Sequence, residues 1–429
     1  MPPKRKVLIF PAGSEIGMEI FHSLKYSHHV EVFGASGKND HASFLYHPSH
    51  YIEDERFYIN AEDFIGLLND CLRRLGIEFI YPTHDTIACF LAEHQSQLAA
   101  LVITSPAQTN RIARYKSETY RTFAHFDFCP QIHAAPYSDL PFPVFLKPDD
   151  GQGGKGAFRA DDAADLAFYL RKSPALLVTE YLPGDELSVD CFTDFSGELR
   201  FVGPRTRERV QMGISFRSTA VEPTDVILDI ARALNTTVLL NGAWFFQVKR
   251  DARGHWKLLE FAPRQSSTMG LYRHSGVNFA LLSLFNAQKM PVQILRNEYA
   301  LQLDRCLHNR FKAELDYRRV YIDFDETVIV GRQVYGRVME YLYQCRNDGI
   351  EIVLITKHRH ELAITLRECA ISEHLFDRII HLRDDENKAD FIEPDGAIFI
   401  DNYWLDRRAV KARHGIPVFD VDAVECLVH

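Results

Sequence analysis

Val144-Phe145-Leu146-Lys147-Pro148-Asp149-Asp150-Gly151-Gln152-Gly153-Gly154-Lys155-Gly156 reads as a short apolar strand that delivers a lysine into a loop with four glycines in six residues. Glycine lets the backbone come close to a ligand, and successive main-chain N–H groups can then face a phosphate while lysine adds a point charge. No GK[ST] opens a helix here, so the loop is not a Walker A motif. Taken alone it is equally a turn.

The flanking sequence carries more of the same chemistry. Upstream lies Arg111-Ile112-Ala113-Arg114-Tyr115-Lys116-Ser117, and downstream Thr179-Glu180-Tyr181-Leu182-Pro183-Gly184-Asp185-Glu186 leads into a strand over Leu187 to Thr193. Ala243 to Arg250 and His255 to Ala262 alternate as strands around Asp251-Ala252-Arg253-Gly254, a hairpin signal. Pairing Arg250 with His255 would set Glu260 opposite Phe245 and make Gln247 and Glu260 diagonal neighbours on one face. Two such oxygen ligands suit magnesium, although a bulge would change the geometry.

At both ends the chain alternates strands and helices, the pattern of parallel α/β sheets. Lys6 to Phe10, Val30 to Gly34 and Glu78 to Pro82 are expected strands, with helices opening at Glu19 and over Phe64 to Leu75. In the last hundred residues, Val320 to Phe324, Glu351 to Thr356, Ala397 to Asp401 and Val418 to Asp420 are expected strands. Asp323 and Asp325, at i and i+2, fall on one side at the carboxyl edge of the first of these, where open α/β sheets bind ligands. One can serve as nucleophile and the other as acid and base, with a cation offsetting their repulsion. Arg305 to Asp316, charged and helix-like, is the expected connector.

Residues 1 to about 312 resemble the ATP-grasp enzymes of the carbamoyl-phosphate-synthase-like branch. The resemblance rests on PAGSEIG, YPTHDT, SPAQTNRIARYKS, FLKPDDGQGGKG, TEYLPGDELSVD and FFQVKR…LLEFAPR, in family order and spacing. It implies a Rossmann-like pre-ATP-grasp lobe over 1–107 and an ATP-grasp domain over 108–312, together α/β and α+β. Lys116 and Lys147 would contact ATP phosphates, and Gly153, Gly154 and Gly156 would belong to a lid over them. Glu180 and Leu182 would flank the adenine and Glu186 the ribose. Gln247 and Glu260 would hold Mg²⁺, with Mn²⁺ as an alternative, and Arg264 would lie near the transferred phosphate. The family usually ends this motif E-x-N-P-R, whereas Glu260-Phe261-Ala262-Pro263-Arg264 has an alanine that cannot ligate.

Residues 316–429 resemble the haloacid-dehalogenase (HAD) superfamily through Asp323-Phe324-Asp325, Thr356, Lys388 and Asp401 followed by Asp406. The resemblance implies an aspartyl-phosphate on Asp323, with Asp325 as acid. Thr356 and Lys388 would hold phosphoryl oxygens, and Mg²⁺ would sit among Asp323, Asp325 and Asp401. The short intervals between these motifs leave room for a helix and a strand each, which implies a Rossmann-like domain without a cap.

The expected function is therefore an ADP-forming ligase that activates a carboxylate as an acyl phosphate for attack by an amine, fused to a phosphatase for a phosphorylated metabolite. The alternative is a HAD phosphatase whose ATP-grasp part only binds nucleotide or substrate, or regulates. The basic run Arg205-Thr206-Arg207-Glu208-Arg209 reads either as a carboxylate or transition-state contact or as a solvated hairpin edge. Gln265 to Gly270 is a candidate substrate segment. His41, His47 and His50 read as surface loop, and Gly13 and Gly17 lack the GxGxxG of a dinucleotide turn.

Composition is compatible with this. The 429 residues are 46% hydrophobic and 25% charged, the average for folded globular chains. A net charge of −9 offers no basic field for nucleic acid. No apolar run approaches the ~18 residues of a membrane span, and Val7 to Phe10 is too short for a signal-peptide core. Eight cysteines without a CxxC read as reduced thiols. The expected setting is the cytoplasm, with no membrane or nucleic-acid partner and a homodimer as one open assembly.

Overall fold

A computed structural model describes residues 3–428 apart from positions 138, 152, 212, 307 and 312. By its contacts the chain divides into two compact units, residues 1–307 and 308–429.

The first unit opens with a five-stranded parallel sheet in the order Tyr51–Glu53, Val30–Ser36, Arg5–Phe10, Phe79–Pro82, Leu101–Val102. Its central strand is apolar on both faces because helices cover both. Leu8 and Phe10 pack against Phe64, Leu68 and Leu72, while Val7 and Ile9 pack against Ile20 and Leu24. The first helix, Glu15–Leu24, starts earlier than the sequence suggests because the Ser14 hydroxyl accepts from Gly17 N and caps it. Gly17 is there for packing: a Cβ would lie 2.3 Å from the Ala12 carbonyl oxygen.

Two four-stranded antiparallel sheets follow, along with a three-stranded one ordered Arg209–Gln211, Ile214–Thr219, Gln302–Asp304. The smaller of the four-stranded pair runs Ile132–His133, Leu177–Glu180, Val144–Lys147, Phe158–Ala160. The larger runs Leu199–Thr206, Glu186–Thr193, Gly242–Arg250, Trp256–Ala262. Its buried face packs Val189, Cys191, Trp244, Phe246, Val248, Leu258 and Phe261 against Ile227, Ile230 and Leu234 of the helix Asp225–Thr237. The opposite face packs Phe192, Phe245 and Ala262 against Met269, Tyr272 and Phe279 over part of its length and carries Gln247 and Glu186 farther along.

The hairpin register differs from expectation. Arg250 pairs with Trp256 rather than His255, and a bulge inserts Leu259 between the pairs Val248–Leu258 and Gln247–Glu260. Gln247 and Glu260 are therefore directly opposite rather than diagonal, and the side chains of Leu259 and Glu260 both reach the same cavity.

The second unit is a five-stranded parallel sheet ordered Arg378–His381, Glu351–Thr356, Arg319–Ile322, Ala397–Ile400, Val418–Phe419. Helices Gly336–Asp348 and Trp404–His414 lie among the elements that cover it. A two-stranded hairpin, Ile329–Val330 with Gln333–Val334, interrupts the run into the first helix and was not foreseen. The expected connector helix is absent: the described residues between Asp304 and Arg319 form neither helix nor strand. Phe311 stays 44% exposed, and a dozen residues without a packed face fall below the length that sustains a helix in water.

Candidate functional sites

Lys147 ends its strand 8% exposed at the wall of a cavity of about 390 Å³. Burial, then the nearby Lys116 charge, pull its ammonium down to about 7, against an opposing pull from Glu260. Lys116 enters the same cavity from the start of the helix Lys116–Thr122, with Nζ 2.6 Å from Gly151 O. Gly153 and Gly154 line the cavity with positive φ of 60° and 70°, a conformation only glycine adopts without cost. Gly156 does not line it; its place is against the Pro148 ring, which a Cβ would meet at 3.1 Å.

The far wall comes from the larger antiparallel sheet. Gln247 and Glu260 face the cavity from adjacent strands, and Glu186 lies farther along the same face. Glu180 and Leu182 reach it from the end of the smaller sheet, Glu180 also accepting from Gln131 N at 2.8 Å. One cavity thus gathers Lys116, Lys147, three carboxylates and an amide between two sheets.

Arg207, left open in sequence between a ligand contact and a solvated edge, and Tyr120, not assigned at all, both contribute here. Arg207 lines the cavity, its Nε 2.6 Å from Glu186 Oε1 and its Nη2 donating to Gly213 O at 2.9 Å. Burial lowers its pKa. The solvated-edge reading fails for Arg205 too. It is 2% exposed and pairs with fully buried Asp190 through Nε at 2.7 Å and Nη2 at 3.1 Å. Of the three arginines in the run only Arg209 is exposed.

Arg264 does not line the cavity. Its Nε and Nη2 donate to Asp85 at 2.5 and 2.7 Å and its Nη1 to Gln265 O at 3.1 Å. Asp85, 179 residues earlier in the chain, starts a helix of the parallel-sheet lobe. Arg264 holds Asp85 below the usual carboxylate range despite burial.

In the second unit, Asp323, Thr356 and Asp401 stand at the carboxyl ends of three neighbouring strands, all buried. Lys388, on a 3-10 turn, reaches between them: Nζ lies 2.6 Å from Asp323 Oδ1, 2.7 Å from Asp401 Oδ2 and 3.7 Å from Asp406. Burial pushes Asp323 up to about 7, partly offset by Lys388. Asp401 is raised by burial in the same way. Burial would lower Lys388, but the two carboxylates outweigh it and hold its ammonium above the ordinary range. Asp325 is half exposed and takes a hydrogen bond from His358 Nδ1 at 2.8 Å. Sequence reasoning missed His358, which lies two residues after Thr356.

The donor sets suit magnesium. Among the described residues no three His, Cys, Asp or Glu side chains form a metal cage. Magnesium is commonly held by one or two carboxylates, substrate phosphates and water rather than by such a cage. Gln247 with Glu260, and Asp323 with Asp401, supply that. Ala262, 6% exposed, supplies no ligand.

Residues 172–304 match the family model described as ATP-grasp in the biosynthetic pathway with Ter operon. The biotin carboxylase domain of 2-oxoglutarate carboxylase from Hydrogenobacter thermophilus, solved with MgADP, ADP and bicarbonate, superposes with a TM-score of 0.56 at 15% identity, over 70% of this chain and 73% of that one. The first unit has an ATP-grasp fold. L-amino acid ligase from Bacillus licheniformis matches with a TM-score of 0.54 at 18% identity, over 68% and 75%. N5-carboxyaminoimidazole synthetase from Staphylococcus aureus with ADP gives 0.58 at 14%, over 71% and 82%. Comparison with curated proteins returned no match. No helix among the described residues is long and apolar enough to cross a membrane.

Proposed function

We propose that the first unit is a Mg²⁺- and ATP-dependent ligase that forms ADP while activating a small-molecule carboxylate. The observation that carries this reading is the pairing of Gln247 with Glu260 in the cavity that also receives Lys116 and Lys147. In it, Lys116 and Lys147 bind the phosphates, Gly153 and Gly154 close over them, and Glu180, Leu182 and Glu186 seat the nucleoside. Gln247 and Glu260 would hold the metal, which when bound would supply positive charge beside the phosphate oxygens. The carboxylate attacks the terminal phosphorus of ATP and releases ADP. An amine then displaces phosphate from the acyl phosphate. Positioning and charge neutralisation carry most of the rate. Arg264, engaged by Asp85, orients the junction of the two lobes in this reading.

The second unit is read as a HAD-type phosphatase acting on a phosphorylated metabolite. Asp323 attacks phosphorus to form an aspartyl-phosphate while Asp325 protonates the departing oxygen. Asp325 then takes a proton from the water that breaks the aspartyl-phosphate and releases phosphate, and Thr356 and Lys388 hold the phosphoryl oxygens. Lys388 between Asp323 and Asp401 supports this, since its ammonium offsets part of the cost of ionising a buried nucleophile beside a second carboxylate. Both activities would belong to the cytoplasm and need neither membrane nor nucleic acid.

The test is ADP formation across a metabolite pool of carboxylates and amines, read by mass spectrometry. Lys147→Ala removes ATP turnover and spares phosphate release from phosphomonoesters, while Asp323→Asn does the reverse. ATP turnover unchanged by Lys147→Ala removes the ligase reading. A second reading, nucleotide binding without ligation beside a working phosphatase, is favoured by Ala262 and by the occupied Arg264. It predicts MgADP binding with no ADP produced from any pool.

A further inference from the structure

Tyr120 is fully buried between the two walls of the cavity, on the helix Lys116–Thr122. Its hydroxyl has two partners. It donates to Leu259 O at 2.8 Å and accepts from Lys147 Nζ, which also lies 4.8 Å from the centre of its ring. Leu259 is the extra residue of the bulge that sets Glu260 opposite Gln247. One side chain therefore ties the lysine wall to the residue on which the carboxylate wall depends.

We propose that Tyr120 is a positioning residue that couples phosphate binding by Lys147 to metal binding by Glu260 and Gln247. The proposal rests on the reading of this cavity as a Mg·ATP site and goes beyond it by assigning a role to a residue that need not touch the ligand.

The physical argument has two parts. A bulge breaks the regular ladder, so its extra residue has no cross-strand partner to fix it. The Tyr120 hydroxyl supplies that fixed point through the Leu259 carbonyl. A buried lysine in turn has few places to direct its protons, and an acceptor on one side aims the rest at the cavity. Burial keeps the phenol well above its ordinary pKa, so it stays protonated and can donate and accept at once. Removing the hydroxyl alone leaves Leu259 O without its donor and Lys147 without its acceptor, while the ring still fills the same space.

The experiment is calorimetric titration of the full chain with ADP, with and without MgCl₂, for wild type, Tyr120→Phe, Lys147→Met and the double variant. Tyr120→Phe is expected to weaken metal-free ADP binding severalfold and to raise the Mg²⁺ concentration that half-saturates the enhancement by roughly tenfold, the scale of one hydrogen bond to a charged group. In the double variant the metal-free loss should be close to that of Lys147→Met alone, because Tyr120 acts on the phosphates through Lys147. Additive losses, or an unchanged Mg²⁺ dependence, overturn the proposal, as does a drop in melting temperature with neither binding term altered. A wild-type chain that binds no ADP removes the nucleotide reading itself, and this inference with it.

Discussion

Glu260 stands directly across the strand pair from Gln247, although the hairpin that joins their strands would by itself bring Leu259 to that place. The bulge is what makes the pair. Because both side chains face Lys147 and Lys116 across the cavity, the carboxylate of Glu260 would act in two opposite ways on the proposed Mg·nucleotide ligand. It attracts a divalent cation and repels a bare diphosphate.

Glu260→Gln should therefore separate these effects. With Mg²⁺ present, ADP binding weakens by about tenfold or more, the usual scale for a lost charge-assisted contact. Without Mg²⁺, ADP binds as well as or better than to wild type, because a negative charge has gone. Titration calorimetry under the two conditions reads the crossing directly. Losses of equal size in both would make Glu260 a purely structural residue.

Lys147 gives a prediction in pH. Its ammonium lies at about 7 in the ligand-free cavity, through burial first and then the Lys116 charge. Phosphate oxygens placed beside it favour the charged form, so nucleotide binding takes up a proton at pH 8 and much less at pH 6. The same depression bears on stability. An unfolded lysine titrates near ~10.4, so between about 7 and that value the unfolded chain binds the extra proton. This group therefore makes the ligand-free protein gain stability as pH rises through that window. ADP titrations at pH 8 in buffers of different ionisation enthalpy measure the uptake, which Lys147→Met should abolish.

Local signals announced much of this cavity, and remote ones did not. Lys147 and the glycine loop are read from a few adjacent residues as a strand leading into a turn, and the family motifs around them turned that reading into a site and added Glu186. The bulge at Leu259 was not placed from sequence, because Leu258 and Leu259 stand side by side and either can be read as the inward residue. Only the fold sets Leu258 and Phe261, three apart, on one buried face. The Arg264–Asp85 pair joins residues far apart in the chain, so the family motif alone placed Arg264 beside the phosphate. Arg205 was ambiguous for a related reason: its charge suggested solvent, and only the fold brings it to Asp190.

That buried pair should be costly to break. Asp190 is fully buried, Arg205 is 2% exposed, and the Ser266 hydroxyl joins them at 3.2 and 3.1 Å. Asp190→Ala leaves a guanidinium in a low-dielectric interior with no countercharge, which costs about 3–5 kcal/mol. Replacing both residues by apolar ones of similar volume should cost much less. Urea denaturation followed by the fluorescence of Trp244, buried in the same sheet, reports the difference. Equal destabilisation by the single and the paired replacement would show that shape rather than charge holds this region.

The last prediction concerns His358 in the second unit. Its Nδ1 lies 2.8 and 3.1 Å from the two oxygens of Asp325, its Nε2 is 2.7 Å from Thr365 Oγ1, and its main-chain N donates to Thr356 at 3.1 Å. These contacts fix the carboxylate that is proposed to protonate the leaving oxygen, so the imidazole matters most where that proton matters most. Para-nitrophenolate leaves readily without help, whereas an alkoxide needs the acid. His358→Phe should lower hydrolysis of an alkyl phosphate by roughly 10²-fold, at the low end of what general acid catalysis contributes, and leave p-nitrophenyl phosphate within a few-fold of wild type. His358→Asn, whose side-chain amide can replace Nδ1, should recover most of the alkyl activity. If both substrates fall together and asparagine restores neither, His358 supports the fold and has no part in proton delivery.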